Sequence, residues 1–138
     1  GREKAPAAIC RKIALAKNID TIEVWGDGLQ TRSVLYIDEC IEASSRLMKN
    51  PDFDGPVNIG SEEMVTINQL VDITSKVAQK NISTKHIEGP QGVRGRNSSN
   101  EIIRRELGWD YEMSLSEGIS LTYYWILKQI ESKSRYGT

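Results

Sequence analysis

Three Ser/Thr-x-x-Glu/Gln tetrads, Thr66 to Gln69, Ser98 to Glu101 and Ser114 to Glu117, set the starting points of three helices in the second half of this 138-residue chain. In such a tetrad the hydroxyl accepts the third helical N–H while the Glu or Gln side chain reaches back to the capping residue, so two orphan donors are satisfied locally. Val65 is placed to staple onto Leu70, and the first helix runs through Val71, Ile73, Thr74 and Val77 to about Lys80. The second helix is short and closes at Gly108. The third is the longest. Its stripe of Ile119, Thr122, Tyr123, Ile126, Leu127 and Ile130 reads as core, with Lys128, Glu131 and Lys133 toward water.

The first half alternates in the same way. Ala5, Ala8, Ile9, Ile13 and Ala16 recur at helical spacing between Glu3 and Lys17, with Pro6 in the first turn where its missing N–H costs little. Thr21 to Trp25 is a short β-prone run, broken by Gly26 and Gly28 and resumed from Ser33 to Ile37. Asp38 then serves as N-cap of a helix carrying Cys40, Ala43, Ser44, Leu47 and Met48 on one face and ending near Asn50-Pro51. Pro56 to Ile59 reads as a brief buried strand closed by Gly60, and Ser83 to Ile87 as a weaker one. Gly89 to Asn97 is a glycine- and arginine-rich loop. Short strands alternating with about five helices give an α/β class, a small mixed domain spanning residues 1–138.

Composition narrows the partners. A chain of this length buries roughly two thirds of its unfolded surface. Eighteen Lys and Arg against 19 Asp and Glu leave a net charge of -1, which argues against sequence-independent nucleic-acid binding, where affinity comes from many phosphate contacts. No apolar run approaches a bilayer span and no signal peptide stands at the start, so a cytoplasmic protein with no membrane partner is expected. Cys10 and Cys40 lack metal-ligand spacing and read as buried small hydrophobes; no metal is expected. The chain opens on Gly1 rather than Met and enters a helical pattern at once, which reads as part of a longer protein, with an expression scar at Gly1 as the alternative.

The positive charge is concentrated in two turns, Trp25-Gly26-Asp27-Gly28-Leu29-Gln30-Thr31-Arg32 and Gly92-Val93-Arg94-Gly95-Arg96-Asn97. Planar guanidinium forks bind phosphate oxygens bidentately, and glycine lets backbone N–H groups approach, so Arg32 and Arg96 suit a compact anion such as a diphosphate. Arg94 fits equally as a surface ion pair or as a ligand. Arg2 either joins the cluster or frays, and His86 reads as a strand surface residue, since no Ser, Cys or Asp partner stands near it.

With these turns, the strings Arg2-Glu3-Lys4-Ala5-Pro6-Ala7-Ala8, Ile37-Asp38-Glu39-Cys40, Pro56-Val57-Asn58-Ile59-Gly60-Ser61 and Leu107-Gly108-Trp109, and the helix from Tyr123 to Glu131, carry a resemblance over nearly the whole chain. The sequence resembles the C-terminal portion of the extended short-chain dehydrogenase/reductases, the NAD-dependent epimerase/dehydratases, and within them the GDP-mannose 3,5-epimerase-like branch. The resemblance implies an isomerase reaction in which NAD transiently oxidises sugar C4 and an acid/base pair inverts C3 and C5. It implies that Lys4 is one member of that catalytic pair. Lys4 stands at a helix N-terminus, whose positive dipole end disfavours an ammonium. It further implies that Glu3, Ala5, Lys12, Gln30, Thr31, Arg32 and Arg96 contact the nucleotide-sugar, with Arg96 as the diphosphate clamp.

Several of the family's parts have no counterpart in this sequence. There is no Gly-x-Gly-x-x-Gly turn, no counterpart of the family's Tyr-x-x-x-Lys pair that handles the C4 hydroxyl and no catalytic cysteine, Cys10 matching a different cysteine of the family pattern. NAD is therefore expected in a complete parent enzyme and not on this chain, whose Rossmann domain is absent and which is expected to be inactive alone. Its expected partners are a nucleotide-sugar and either the missing N-terminal Rossmann domain or a partner chain. A freestanding nucleotide or nucleotide-sugar binding module, acting through a partner chain or by self-association as a homo-oligomer, and a structural remnant without ligand are the competing readings.

Overall fold

The computed structural model describes residues 3–90 and 92–136. Helix α1 (Ala5–Leu15) begins with Lys4 in the extended capping position and Pro6 in its first turn. Strand β1 (Ile19–Trp25) follows, then β2 (Thr31–Ser33), α2 (Ile37–Met48), β3 (Met64–Thr66), α3 (Ile67–Ala78), β4 (Asn81–Ile87), β5 (Gly95–Arg96), α4 (Glu101–Leu107) and α5 (Leu115–Tyr136). The α/β class and the five helices agree with the sequence.

The strands form two small sheets. β1 and β4 pair in parallel, from Ile19 opposite Asn81 to Trp25 opposite Ile87. β2 is the centre of the other sheet, antiparallel to β3 and parallel to β5, in the order β3-β2-β5. Helices α1, α3 and α5 pack on one another. Their apolar faces meet Ile22 and Val24 of β1 in a core that also holds Cys10, Ile13, Leu70, Val71, Ile119 and Tyr123. A satellite cluster of Ala43, Ile103 and Trp109 lies under α2 and α4, with Val57 and Ile59 packed against it.

Two of the three capping tetrads form. Thr66 and Gln69 exchange both bonds. Ser114 Oγ accepts from the Glu117 N–H while a Glu117 carboxylate oxygen accepts from the Ser114 N–H. The Ser98 tetrad does not. Asn100 takes the capping position of α4 without a side-chain cap: its amide N–H groups donate to the Gly60 carbonyl and to Asp110, and its side-chain oxygen meets no donor among the described residues. Asp38 does not cap α2 either. Tyr36 stands there, and Asp38 and Glu39 occupy the first turn, where acidic side chains suit the dipole.

The remaining corrections concern strands. Pairing of β2 begins at Thr31 and stops at Ser33, so the strand expected from Ser33 to Ile37 is mostly connection. β3 is a strand that sequence reasoning missed, and β5 lies inside the stretch expected to be loop. Residues Pro56 to Ile59 form no strand, although Val57 and Ile59 alternate into the satellite cluster as a strand would. That segment has the strand pattern and lacks a partner to pair with among the described residues. On α2, Ala43 is buried and Leu47 half-buried, but Met48 is 88% exposed rather than on the inner face. Cys10 is fully buried and Cys40 only half so. Among the described residues no helix is long and apolar enough to cross a membrane.

Candidate functional site

Glycine geometry builds the site. β1 ends at Trp25, and Gly26 and Gly28 take positive φ of 71° and 69°, which turns the chain back toward β2. A Cβ on Gly28 would stand 2.0 Å from the Asn68 side-chain oxygen, so only glycine lets this turn seat on the start of α3. Asn68 holds it there, donating its amide to the Asp27 carbonyl at 3.1 Å and its backbone N–H to the Gly28 carbonyl at 3.1 Å. His86, exposed on β4, meets the same Asn68 at 3.0 Å. A Cβ on Gly89 would meet the Trp25 indole at 2.7 Å, so the glycine keeps the following loop close against that ring.

This folding leaves a cavity of about 350 Å³ between α1, the end of β1 and β2, within the range of small-molecule sites. Glu3, Ala5, Lys12, Gln30 and Arg32 of the sequence-derived set line it, together with Trp25 and Pro90 over a floor of Ile9, Val24 and Ile67. Lys4 stands between two lining residues, exposed at the capping position of α1, and is not itself part of the wall. Thr31 and Arg96 also lie outside the wall, on β2 and β5. Arg2 lies outside the described residues. Trp25 and Pro90 were not among the sequence-derived ligand residues, although a tryptophan directly before a glycine-rich turn was a sequence signal that could have found the first, which is half-exposed in the structure.

The polar groups of the wall differ in how fully they are used. Glu3 and Arg11 neutralise one another, with both carboxylate oxygens 2.8 Å from Arg11 Nε. Lys12 donates to the Glu23 carbonyl at 2.6 Å, which ties α1 to β1. Gln30 is buried, donates its amide to the Trp25 carbonyl at 3.3 Å, and leaves its side-chain oxygen without a partner. A buried acceptor in a cavity wall is a group that a ligand N–H would satisfy.

Arg32 and Arg96 are paired positions of β2 and β5, which places their side chains on the same face. Arg32 Nη1 donates to the Thr31 carbonyl at 2.6 Å and has no acidic partner among the described residues. The Arg96 side chain is exposed and has no hydrogen bond or ion pair among them. Arg94 differs, since its guanidinium meets both carboxylate oxygens of Asp27, at 3.0 and 2.8 Å.

A larger cavity, of about 790 Å³, lies between α2, α5 and the loop after α4. Glu39, Glu42, Asp110, Glu112 and Glu117 line it, so an anionic ligand is repelled there. Part of that acidity is structural, because a Glu39 oxygen accepts the backbone N–H groups of Glu112 and Met113 at 2.6 and 2.9 Å. Burial pushes the Cys10 thiol up to about 11, which suits a packed side chain rather than a nucleophile.

Among the described residues no positive-φ glycine stands where a dinucleotide's pyrophosphate is ordinarily held. Gly26 and Gly28 turn between two strands, Gly92 precedes β5 and Gly108 ends α4, so none of these positive-φ glycines opens a helix N-terminus to a pyrophosphate.

Residues 2–60 match the model of the NAD dependent epimerase/dehydratase family. The chain is 51% identical over 138 residues to GDP-mannose 3,5-epimerase of Arabidopsis thaliana, which covers all of this chain and 36% of that protein. GDP-mannose 3,5-epimerase 1 of Oryza sativa subsp. indica is 51% identical over 137 residues, or 99% of this chain and 35% of its own. The chain thus spans little more than a third of these relatives' length. The fold superimposes on UDP-glucose 4-epimerase from Thermotoga maritima with a TM-score of 0.85 at 24% identity, covering 94% of this chain and 41% of that one. UDP-glucuronic acid 4-epimerase from Bacillus cereus gives 0.81 at 23% identity, over 93% and 40%.

Proposed function

Proceeding from the chain's place in the NAD-dependent epimerase/dehydratase family, within its GDP-mannose 3,5-epimerase-like branch, we propose that it is the nucleotide-sugar-binding portion of such an enzyme. The observation that carries this reading is the pair Arg32 and Arg96, two cations on one face of adjacent strands, neither with an acidic partner among the described residues. Adjacent like charges repel in the absence of an anion. A diphosphate removes that repulsion and accepts charge-assisted bonds from both forks.

The neighbouring cavity has the character of a base site. Gln30 offers its unpartnered oxygen to a ring or exocyclic N–H, and Trp25 and Pro90 offer apolar faces at the rim. Glu3 and Ala5 place the start of α1 beside the same ligand. Lys4, between them, is the residue of this chain proposed to hold or return a proton at the sugar. Lys12 and Thr31 act from behind, the first by fixing α1 to β1 and the second from within the β2 ladder.

The chain's own surface supports the view that a further part of the family architecture packs on it. Ile37, Ile41 and Met48 recur on one face of α2 and are 58%, 60% and 88% exposed. The neighbouring segment Pro56 to Ile59 has a strand pattern and no strand partner among the described residues. An amphipathic helix beside such a segment suits the edge of another sheet, which the longer relatives can supply. Turnover is accordingly proposed to need that part, and NAD to be held there.

A ligand that binds only the folded chain raises its melting temperature. GDP-mannose and GDP are expected to do so, and GMP to do so less because it lacks the second phosphate. Equal shifts from GMP and GDP would contradict the diphosphate assignment, and no shift from any of them would contradict the binding role.

A further inference from the structure

Asp27 and Arg94 are 67 residues apart and join the two glycine-rich turns through both oxygens of one carboxylate. We propose that this ion pair is a latch that sets Arg96 beside Arg32, so that Arg94 is a positioning residue for the anion site and not a ligand contact. The inference rests on the reading of Arg32 and Arg96 as the diphosphate clamp.

The need for a latch follows from the size of β5. The strand is two residues long and its ladder with β2 has two registered pairs, Thr31 with Gly95 and Arg32 with Arg96. So short a ladder gives little cooperative hold, and the residues of β5 are exposed. What fixes its register lies just before it. The Thr31 N–H donates to the Arg94 carbonyl at 2.9 Å, and the Arg94 side chain holds Asp27 at the other end of the same connection. Backbone and side chain of one residue therefore grip both sides of the turn that leads into β2.

The anchor is rigid where the strap is not. Asp27 Oδ1 accepts the Leu29 N–H at 2.9 Å, and the Asp27 and Gly28 carbonyls both accept from Asn68 at the start of α3. The turn is thus referenced to the main core, and Arg94 transfers that reference to β5. Glycine at position 95 completes the fit, because a Cβ there would stand 2.8 Å from Thr31 Oγ1. Arg94 and Asp27 side chains are 63% and 41% exposed, so the latch is open to screening by salt.

The test is a double-mutant cycle on the 138-residue chain with Asp27→Asn, Arg94→Gln and the double variant, Arg94→Lys being the conservative control. Two readouts are taken, hydrogen exchange of the Thr31 amide without ligand and affinity for GDP. Asn keeps an acceptor for Leu29, so Asp27→Asn removes the charge and spares the turn. The latch predicts that either single variant lowers Thr31 protection and GDP affinity by up to about fivefold, the range of an exposed ion pair. It predicts that the double variant loses no more than either single one and that Arg94→Lys recovers part of both. If Arg94 instead touches the anion, Asp27→Asn frees it and GDP binds more tightly while Arg94→Gln weakens binding; that result overturns the proposal. Unchanged Thr31 protection in both single variants also overturns it. Should the parent chain bind no GDP, the clamp reading fails, and the exchange data still decide whether the latch exists.

Discussion

Arg32 on β2 and Arg96 on β5 occupy registered positions of a parallel ladder, and neither forms an ion pair with an acidic side chain among the described residues. Two consequences of that placement have opposite signs, and both can be measured.

Without ligand, the paired arginines repel. Arg96→Ala is expected to leave the free chain unchanged or to stabilise it by up to about 0.5 kcal/mol, within the range of cross-strand charge pairs. Inorganic pyrophosphate is expected to raise the melting temperature of the parent chain and not that of the variant. A variant clearly less stable than its parent in low salt would mean that Arg96 holds the fold through a contact of its own.

Thr66 and Ser98 head two tetrads that look alike in sequence, yet only the first is a cap in the folded chain. Thr66→Ala is expected to cost about 1 kcal/mol in urea unfolding, the usual cost of a lost N-cap. Ser98→Ala is expected to stay within about 0.5 kcal/mol. Equal losses would contradict the assignment of Asn100 to the start of α4.

That contrast shows where the sequence was legible. Helices with a sustained apolar stripe, such as that of Ile119 and Tyr123, were readable because burial and periodicity agree. The two glycine-rich turns were readable because positive φ admits few other residues. What escaped depends on partners distant in sequence. β3 and β5 are three and two residues long and exist through their pairing with β2. Pro56 to Ile59 failed in the opposite sense, carrying a strand pattern without a strand to pair with. Around the cavity, the positions of Glu3, Ala5, Lys12, Gln30 and Arg32 follow from neighbouring turns and one helix start, whereas the pairing of Arg94 with Asp27 joins residues too distant in sequence to be foreseen.

Lys80 extends its ammonium to the end of α1, donating to the carbonyls of Ile13, Ala14 and Ala16 at 2.7, 3.1 and 2.6 Å. A cation on the unsatisfied carbonyls of a helix C-terminus complements the dipole and closes the helix from outside. Lys80→Met keeps the stem and removes the donors, and is expected to cost about 2 kcal/mol, measured by denaturant unfolding. A loss below about 0.5 kcal/mol would place those bonds among surface contacts of no consequence.

Arg104 links Glu62 and Asp110, at 2.7 and 2.6 Å, beside the buried Asn100. Hydrogen bonds from Arg104 hold the Glu62 and Asp110 carboxyls below their ordinary values of 4.5 and 3.8. Carboxyls depressed in the folded chain contribute stability above their ordinary values and lose it as pH falls through the folded ones. Stability is therefore expected to decline on acidification below about pH 4.5, and less steeply in Arg104→Met. An identical acid profile in that variant would show that other carboxylates govern the transition.

The most direct test of the central claim is calorimetric titration of the chain with GDP-mannose and GDP, in parallel with Arg96→Ala and with Arg105→Ala as a surface control whose arginine pairs with its neighbour Glu106. The account predicts saturable binding of both nucleotides to the parent and to Arg105→Ala, weakened about tenfold or more in Arg96→Ala, the loss expected when a charge-assisted bond to phosphate is removed. Binding that is equal in Arg96→Ala, or absent from the parent chain, would contradict it.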